Sequence, residues 1–536
     1  MTVSGFGPLT LLEMKRTPSM PDPRRLDLLA EPLFSVTGAA TDRASLAAIL
    51  ALLSRGDDLE FRALQPHQQH AWHAFLVQLA ALALHRRDLA TAPREEEVWR
   101  SLVLALTGDA HEAWCLVVPD LSRPAFFQPP VPDRSLQSFK TASTPDSIDT
   151  LVTTRNHDIK RERMVDARPE HWAYALVSLQ TMEGYTGAKN YGIARMNSGY
   201  GSRPAVSTAR SLGRGRQFLD DVAAWRGSRD ALVERFGYPQ EGGAALLWTL
   251  PWDGETSLGL EECDPFFLEI CRRVRLEASA SRLVARVGNS KSPRIAQAEH
   301  KGATGDAWTP IRRADGAVLT LSDEGFSYKM LQRLIASGEF ELPTAARLDR
   351  SGSGPLWLLA KGLVRGQKTE GYHERLLPIP PTVRRVFASL DERERLGRIA
   401  LARVDVVSTV QRDVLRPSLC ALLQDGAEKF DYRDRRLDPW LRRLDLMVDP
   451  IFFPRLWEAL EQDSAEASDE QWAREVLRMA EAILEEAFDS LPLPAARRPR
   501  AVAQAERIFH GAAWKRFEGA LATTGPSATG GAIDDA

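Results

Sequence analysis

Residues 468–490 read SDEQWAREVLRMAEAILEEAFDS. Trp472, Val476, Met479, Ala480, Ile483 and Ala487 recur at three- and four-residue steps, the period of a helix that turns one apolar face to a core. Ser468-Asp469-Glu470-Gln471 has the form of a capping box and is expected to start that helix. Similar stripes run through Leu396–Leu415, Pro450–Leu460 and Ala501–Leu521. Four amphipathic helices joined by short proline-bearing turns predict a bundle over 381–521.

Upstream of Pro378–Pro381 the pattern changes. LDLLAEPLFSV (26–36) reads as a short strand and turn, and Ser45–Leu53 as a helix. In HQQHAWHAFLVQLAALAL (67–84), Trp72, Phe75, Leu76, Leu79, Leu82 and Ala83 form an inward-facing stripe. Pro124, Pro129, Pro130, Pro132 and Pro145 keep Leu121–Asp149 loop-like. Ala244–Trp252, Leu276–Val287, Ala317–Leu321 and Leu356–Val364 have strand-like apolar content. The expected fold class is therefore α+β, a large mixed α/β N-terminal domain over 24–380 followed by a C-terminal four-helix bundle. Residues 1–23 are expected to be a disordered extension running into the proline-rich PSMPDPRR, and 522–536 a flexible tail.

At 536 residues the chain exceeds what a single core usually spans. A formal charge of −3 excludes the generally basic surface of a free-standing, nonspecific DNA binder, so any nucleic-acid site must be local or completed by a partner. Glu13, Lys15 and Arg16 stand where a secretory signal needs an apolar run. The longest apolar stretch, Ala74–Leu84, contains Gln78 and is about half the ~20 residues that cross a bilayer. Four scattered cysteines, Cys115, Cys263, Cys271 and Cys420, fit free thiols in a reducing compartment. The expectation is a soluble cytoplasmic protein with no membrane partner.

Against this near-neutral background, residues 184–206 read GYTGAKNYGIARMNSGYGSRPAV, with five glycines, three tyrosines, three basic residues and no acid. The acid-free stretch continues through Arg210, Arg214 and Arg216 until Asp220. Glycines let a backbone approach a ligand closely, tyrosines offer flat faces, and Lys189, Arg195 and Arg203 are phosphate-seeking. A solvated loop is the plainer alternative. Neither GxxxxGK[ST] nor GxGxxG follows a clear strand here, so a mononucleotide cradle is disfavoured.

No convergent set of acid, base, nucleophile and metal ligands stands out. His67, His70 and His73 share one helix, but no nearby Cys, Asp or Glu completes a ligand set, and a polar helix flank accounts for them. Asn156-His157-Asp158 leaves open a metal-dependent nuclease or phosphohydrolase, although the further histidines and aspartate are not evident. The same segment carries Arg155, Lys160, Arg161 and Arg163, which suit phosphate contact. RGQKTEGYHER (365–375) follows an apolar strand-like run. Gln367 there has an amide that can read a base edge or enter a stack, or it can simply satisfy the backbone of a hairpin. A helical adaptor that binds only protein is the remaining alternative.

Taken in order, these segments resemble the large subunit, CasA, of type I-E CRISPR Cascade complexes. The resemblance is carried by LDLLAEPLFSV, SLAAILALL, RALQPHQQHAWHAFLVQLAAL, PAFFQ, DTLVTTRNHDIKRERM, the glycine-rich segment, WDGETSLGLEECDP, RGQKTEGYHER and the closing helices. It implies a noncatalytic subunit of an RNA-guided antiviral ribonucleoprotein. Such a subunit recognises the protospacer-adjacent motif in duplex DNA, promotes R-loop formation and helps recruit a separate helicase-nuclease, while guide pairing reads the rest of the target. Implied partners are the other Cascade subunits, CRISPR RNA, target DNA and that helicase-nuclease; no cofactor is implied.

By position, the family's motif-reading loop falls on Lys189, Asn190, Tyr191, Arg195, Asn197, Ser198, Gly199, Tyr200 and Arg203, with Asn197, Ser198 and Gly199 as minor-groove contacts. The family's basic contact falls near Lys301, within SPRIAQAEHKGATG (292–305), in a register that can slip by one or two residues. Its duplex wedge matches Gln367, and its flexible nucleic-acid-contacting loop matches part of 134–163, including Arg155, His157, Lys160 and Arg161. Some relatives carry a cysteine-rich zinc site where this chain keeps only Cys263 and Cys271, so no zinc is expected.

Overall fold

The computed structural model describes residues 26–108, 110–149, 163–185, 187, 189–197, 203–279, 282–296, 298–346, 354–365, 370–424, 429–461 and 465–522. The chain divides into two compact units. The first comprises residues up to Ala194 together with Gly213–Gln297, and the second Arg195–Leu212 together with the chain from Ala298.

The first unit is built around the helix Gln69–Arg86. Sequence periodicity predicts a single apolar stripe, yet every residue from Ala74 to Leu84 is buried. A helix that is apolar nearly all round belongs inside a core, and this one packs with the helices Pro169–Met182 and Arg214–Arg226 and the strand Cys263–Leu268. Trp72 anchors the packing, its ring 5.1 Å from Phe34 and 4.9 Å from Tyr174. Gln78, the polar interruption, is accommodated because its amide donates to the Phe267 carbonyl at 2.9 Å.

The helix expected from Ser45 runs from Leu46 to Arg55, with the Ser45 hydroxyl capping the Ala48 amide. Leu276–Val287 resolves into an antiparallel hairpin, Arg273–Ser279 and Arg282–Gly288. Lys140–Ala142, inside the proline-bearing stretch expected to be loop, adds an edge strand to that hairpin. Three residues paired on one side only leave too little periodicity to read.

The second unit centres on an antiparallel sheet in the order Glu370–Ile379, Leu356–Arg365, Ala205–Ala209. One face merges with the C-terminal helices in a common core that joins Val206, Leu358, Ala360 and Ile379 to Val407, Leu456 and Trp472. This differs from the division expected at 380. Apolar surface is buried without regard to chain order, so the strands before 380 and the helices after it fold as one body.

Four helical rods follow. The first runs Leu390–Thr409, passes through a π-turn at Val410–Leu415 and continues as Arg416–Leu423; the others are Asp438–Glu461, Ala465–Ser490 and Arg498–Ala522. Two local expectations need correction. Pro450 and Pro454 lie inside the helix Asp438–Glu461 rather than in a turn before it. Burial of Leu444, Val448, Phe452 and Leu456 along one face of that helix outweighs the missing amide donors. Ser468 is not a cap, because the helix starts at Ala465. Its hydroxyl instead accepts a 2.7 Å hydrogen bond from buried Arg403, whose guanidinium lies 5.3 Å from the Trp472 ring centroid. Ala317–Leu321, expected as a strand, contributes only a single bridge between Ile311 and Val318.

Candidate nucleic-acid interface

The boundary between the two units falls between Ala194 and Arg195, inside the glycine-rich segment. In the first unit the segment leaves the helix Pro169–Met182 and folds back on itself. A Cβ on Gly192 would stand 2.7 Å from the Gly184 carbonyl carbon, so only glycine permits this backbone crossing. Arg272 fastens the turn by donating to the carbonyls of Tyr191 and Gly184. The Tyr185 and Tyr191 rings meet at 6.1 Å in an edge-on arrangement. Lys189 is exposed with φ +69° while its carbonyl accepts from the Ser290 amide, and Asn190 follows it half-buried.

In the second unit the two arginines of the segment turn inward. Arg195 is 1% exposed and Arg203 0%, which corrects the expectation that their charges face DNA phosphates. Arg203 makes a bidentate pair with Asp306 at 2.6 and 2.5 Å and lies 5.3 Å from the Trp308 ring centroid. Burial by itself would raise the Asp306 pKa, but the Arg203 charge and hydrogen bonds, helped by Arg195 and Thr309, hold it at about 2. The carboxylate therefore stays ionised, and the pair pins the chain where it enters the strand Ala205–Ala209. Sequence reading missed Asp306 because it lies 103 residues from its partner.

The same loop that supplies Asp306 supplies Lys301. Lys301 has φ +47° and Gly302 φ +84°, and a Cβ on Gly302 would lie 2.5 Å from the Met196 carbonyl carbon and 2.8 Å from the Asn197 amide. This close approach sets the Lys301 backbone beside Asn197. The Lys301 ammonium is exposed and donates to the Asp315 carbonyl at 3.1 Å. Non-glycine residues in the left-handed region are uncommon and cost about 1–2 kcal/mol. Both candidate lysines of the interface adopt it, so strain is held where charge is displayed. Gly302 was visible in the sequence as part of HKGATG, but nothing local revealed what it packs against.

Ser198, Gly199 and Tyr200 lie outside the described residues, as does Gln367. The strands that flank Gln367 are described, and their register is informative. Ala205 pairs with Lys361, so the hairpin continues past the third strand through Gly362–Arg365 and Glu370–His373. It does so at the Ala205 end of the sheet, the end at which Pro204 and Arg203 enter. The second half of the glycine-rich segment and the hairpin that carries Gln367 thus share one end of the sheet.

Arg155, His157, Asp158, Lys160 and Arg161 also lie outside the described residues. The points flanking that segment are fixed. Asp149 accepts from Gln68 at 2.7 Å and lies 2.8 Å from the His67 ring nitrogen, and the Arg163 amide donates to Asp146 at 2.9 Å. His73 in turn lies 2.7 Å from Asp221, so carboxylates distant in sequence engage two of the three clustered histidines. Among the described residues no group of three or more His, Cys, Asp and Glu is placed to hold a metal ion. Cys263 and Cys271 are buried free thiols, and burial pushes Cys271 up to about 12. No helix among the described residues is long and apolar enough to cross a membrane.

No protein-family model matches the chain, and no curated protein matches it in sequence. Solved structures are similar in fold. The structure of Thermus thermophilus CasA (Cse1) superposes with a TM-score of 0.59 at 15% identity, covering 92% of this chain and 100% of that one. The CRISPR-associated protein Cse1 from Acidimicrobium ferrooxidans gives 0.59 at 15% identity, covering 92% and 99%. A chain of a CRISPR RNA-guided surveillance complex gives 0.55 at 15% identity, covering 91% and 99%. This chain has their fold, mixed helix and sheet with helices at the C-terminal end, over nearly its whole length.

Proposed function

We propose that this chain, built on the CasA (Cse1) fold, is the large noncatalytic subunit of a type I-E Cascade surveillance complex. In this reading it recognises a short motif in duplex DNA and promotes opening of the duplex so that guide RNA can pair. The observation that carries the reading is the approach of Gly302 to the Met196–Asn197 backbone, which sets Lys301 beside Asn197. Those two residues are 104 apart in sequence, and both were singled out by the resemblance.

The division of roles follows from the chemistry. Asn197, with the adjoining Ser198 and Gly199, has the small size and amide chemistry for close approach to base edges in the minor groove. Lys301 and Lys189 supply exposed charge for the phosphates on either side, with Asn190, Tyr191 and Tyr200 as further contacts. Arg195 and Arg203 act indirectly, by holding the loop in place through Asp306. Gln367 enters the duplex beyond the motif; unstacking a step costs a few kcal/mol, which new contacts and guide pairing offset. The other Cascade subunits and the CRISPR RNA hold most of the nucleic acid, which is compatible with a formal charge of −3. A separate helicase-nuclease, docked on the assembled cytoplasmic complex, performs the cleavage.

The test is target-duplex binding by the whole complex assembled with and without this chain. Motif-dependent affinity is expected only when the chain is present. Equal affinity for motif-bearing and scrambled duplexes with the chain present would contradict the reading.

A further inference from the structure

The hairpin that carries Gln367 changes character along its length. Trp357–Lys361 is flanked on both sides, by Glu374–Pro378 and by Ala205–Ala209. From Gly362 to Arg365 the only ladder partner is Glu370–His373. A two-stranded ribbon is marginally stable on its own and twists readily, so its direction is set where the third strand ends. At that point stand Arg375, paired with Ala360, and Glu374, paired with Lys361.

Arg375 reaches out of the sheet to the helix Asp438–Glu461. Its guanidinium donates to the Asp449 carboxylate and, at 3.0 Å, to the Asp449 carbonyl. The other Asp449 carboxylate oxygen accepts the Tyr328 amide at 2.7 Å, at the start of the helix Tyr328–Ile335. The Tyr328 hydroxyl donates to Asp445 at 2.8 Å, and Lys329 pairs with the same carboxylate at 2.7 Å. Asp449 immediately precedes Pro450. The network therefore ties the pivot of the ribbon to a bundle helix and to the helix Tyr328–Ile335 at once.

We propose that Arg375 and Asp449 are positioning residues that aim the hairpin, and with it Gln367, relative to the helical bundle. Arg365 lies five residues beyond Ala360, roughly 17 Å along an extended strand, so a tilt of about 10° at the pivot moves it by about 3 Å. That exceeds the tolerance of about 0.5 Å within which a functional constellation works. Both side chains are partly accessible, 26% for Arg375 and 21% for Asp449, so their pairing can be broken without opening the core.

The inference rests on the duplex-opening role proposed above, and its test separates the two. Opening of a motif-bearing duplex is followed with a fluorescent base analogue in complexes that carry the wild-type chain, Arg375→Ala, Arg375→Lys or Tyr328→Phe. Arg375→Ala is expected to slow opening by roughly fivefold, the size of effect typical of residues coupled through direct contact, while initial motif-dependent binding is retained. Arg375→Lys, which keeps the charge, recovers most of the rate, and Tyr328→Phe, which removes one hydroxyl, gives a smaller defect in the same direction. In a Gln367→Ala background Arg375→Ala adds no further slowing.

Hydrogen exchange on the free full-length chain supplies a readout that does not depend on DNA. Arg375→Ala speeds exchange at Leu363, Val364 and Tyr372 but not at Leu358 and Leu359, which the third strand covers. Wild-type opening with an unaltered Arg375→Ala rate, or slowing that adds in full to that of Gln367→Ala, overturns the positioning role. Failure of the wild-type complex to open the duplex overturns both proposals.

Discussion

The glycine-rich loop and the hairpin leave the same end of one sheet, yet they are held in opposite ways. The loop enters its strand through Arg203, whose charge is spent in a fully buried bidentate pair with Asp306. The hairpin is held through Arg375, whose partner Asp449 remains partly open to water. A buried ion pair loses much of its stability when one partner is removed, because the other charge is stranded; a half-exposed pair tolerates adjustment. The difference suits two tasks. An element that reads a motif needs a fixed base, and an element that enters a duplex needs an adjustable direction.

The largest effect should come from breaking the fixed base. Asp306→Ala leaves Arg203 buried without its carboxylate and is expected to destabilise the second unit by about 3–5 kcal/mol, measured by urea unfolding. Acid provides a milder form of the same break. The folded-state pKa of Asp306, about 2, lies below its ordinary 3.8. Its contribution to stability is therefore fully present above the ordinary value and is lost as pH falls through that value toward about 2. Unfolding midpoints of wild type should fall across that window, and those of Asp306→Ala should fall less.

Gly302→Ala comes next. It adds a Cβ where φ is +84° and the Met196 carbonyl carbon would be 2.5 Å away, so strain of about 1–2 kcal/mol combines with displacement of the Asn197 backbone. Motif-dependent affinity of the complex should drop by roughly tenfold for each 1.4 kcal/mol lost, with hairpin-dependent opening affected only as a consequence of weaker binding. The smallest effect belongs to Lys301→Ala. Removal of one exposed phosphate contact should weaken binding evenly across DNA sequences and reduce the salt slope by about one, with thermal stability unchanged. An equivalent change in salt slope from Arg203→Ala, without loss of stability, would erase the distinction between the buried and the displayed charges.

What could be read in the sequence follows from the range of the forces involved. The helical rods after 380 were legible because residues three and four apart, such as Trp472, Val476 and Met479, report a buried face locally. Extension of the helix Asp438–Glu461 through Pro450 and Pro454 was not, since tertiary burial there overrides a local penalty. The glycine-rich segment could be singled out by its acid-free, tyrosine-bearing composition. The same composition could not distinguish Lys189, which is exposed, from Arg195 and Arg203, which are buried. That distinction depends on Asp306, Trp308 and Gly302, each brought in from about a hundred residues away. The edge strand Lys140–Ala142 was hidden for the same reason, its partner being Ala285–Val287.

The central claim is that Asn197 and Lys301, set side by side by Gly302, face the DNA motif. The most direct measurement places a photo-crosslinking residue at position 197 or 301 of the chain in the assembled complex and maps crosslinks on a labelled motif-bearing duplex. The account predicts crosslinks from both positions to the motif base pairs and their neighbouring phosphates, lost when the motif is scrambled. Crosslinks only to protein or guide RNA, or crosslinks indifferent to the motif, would contradict it.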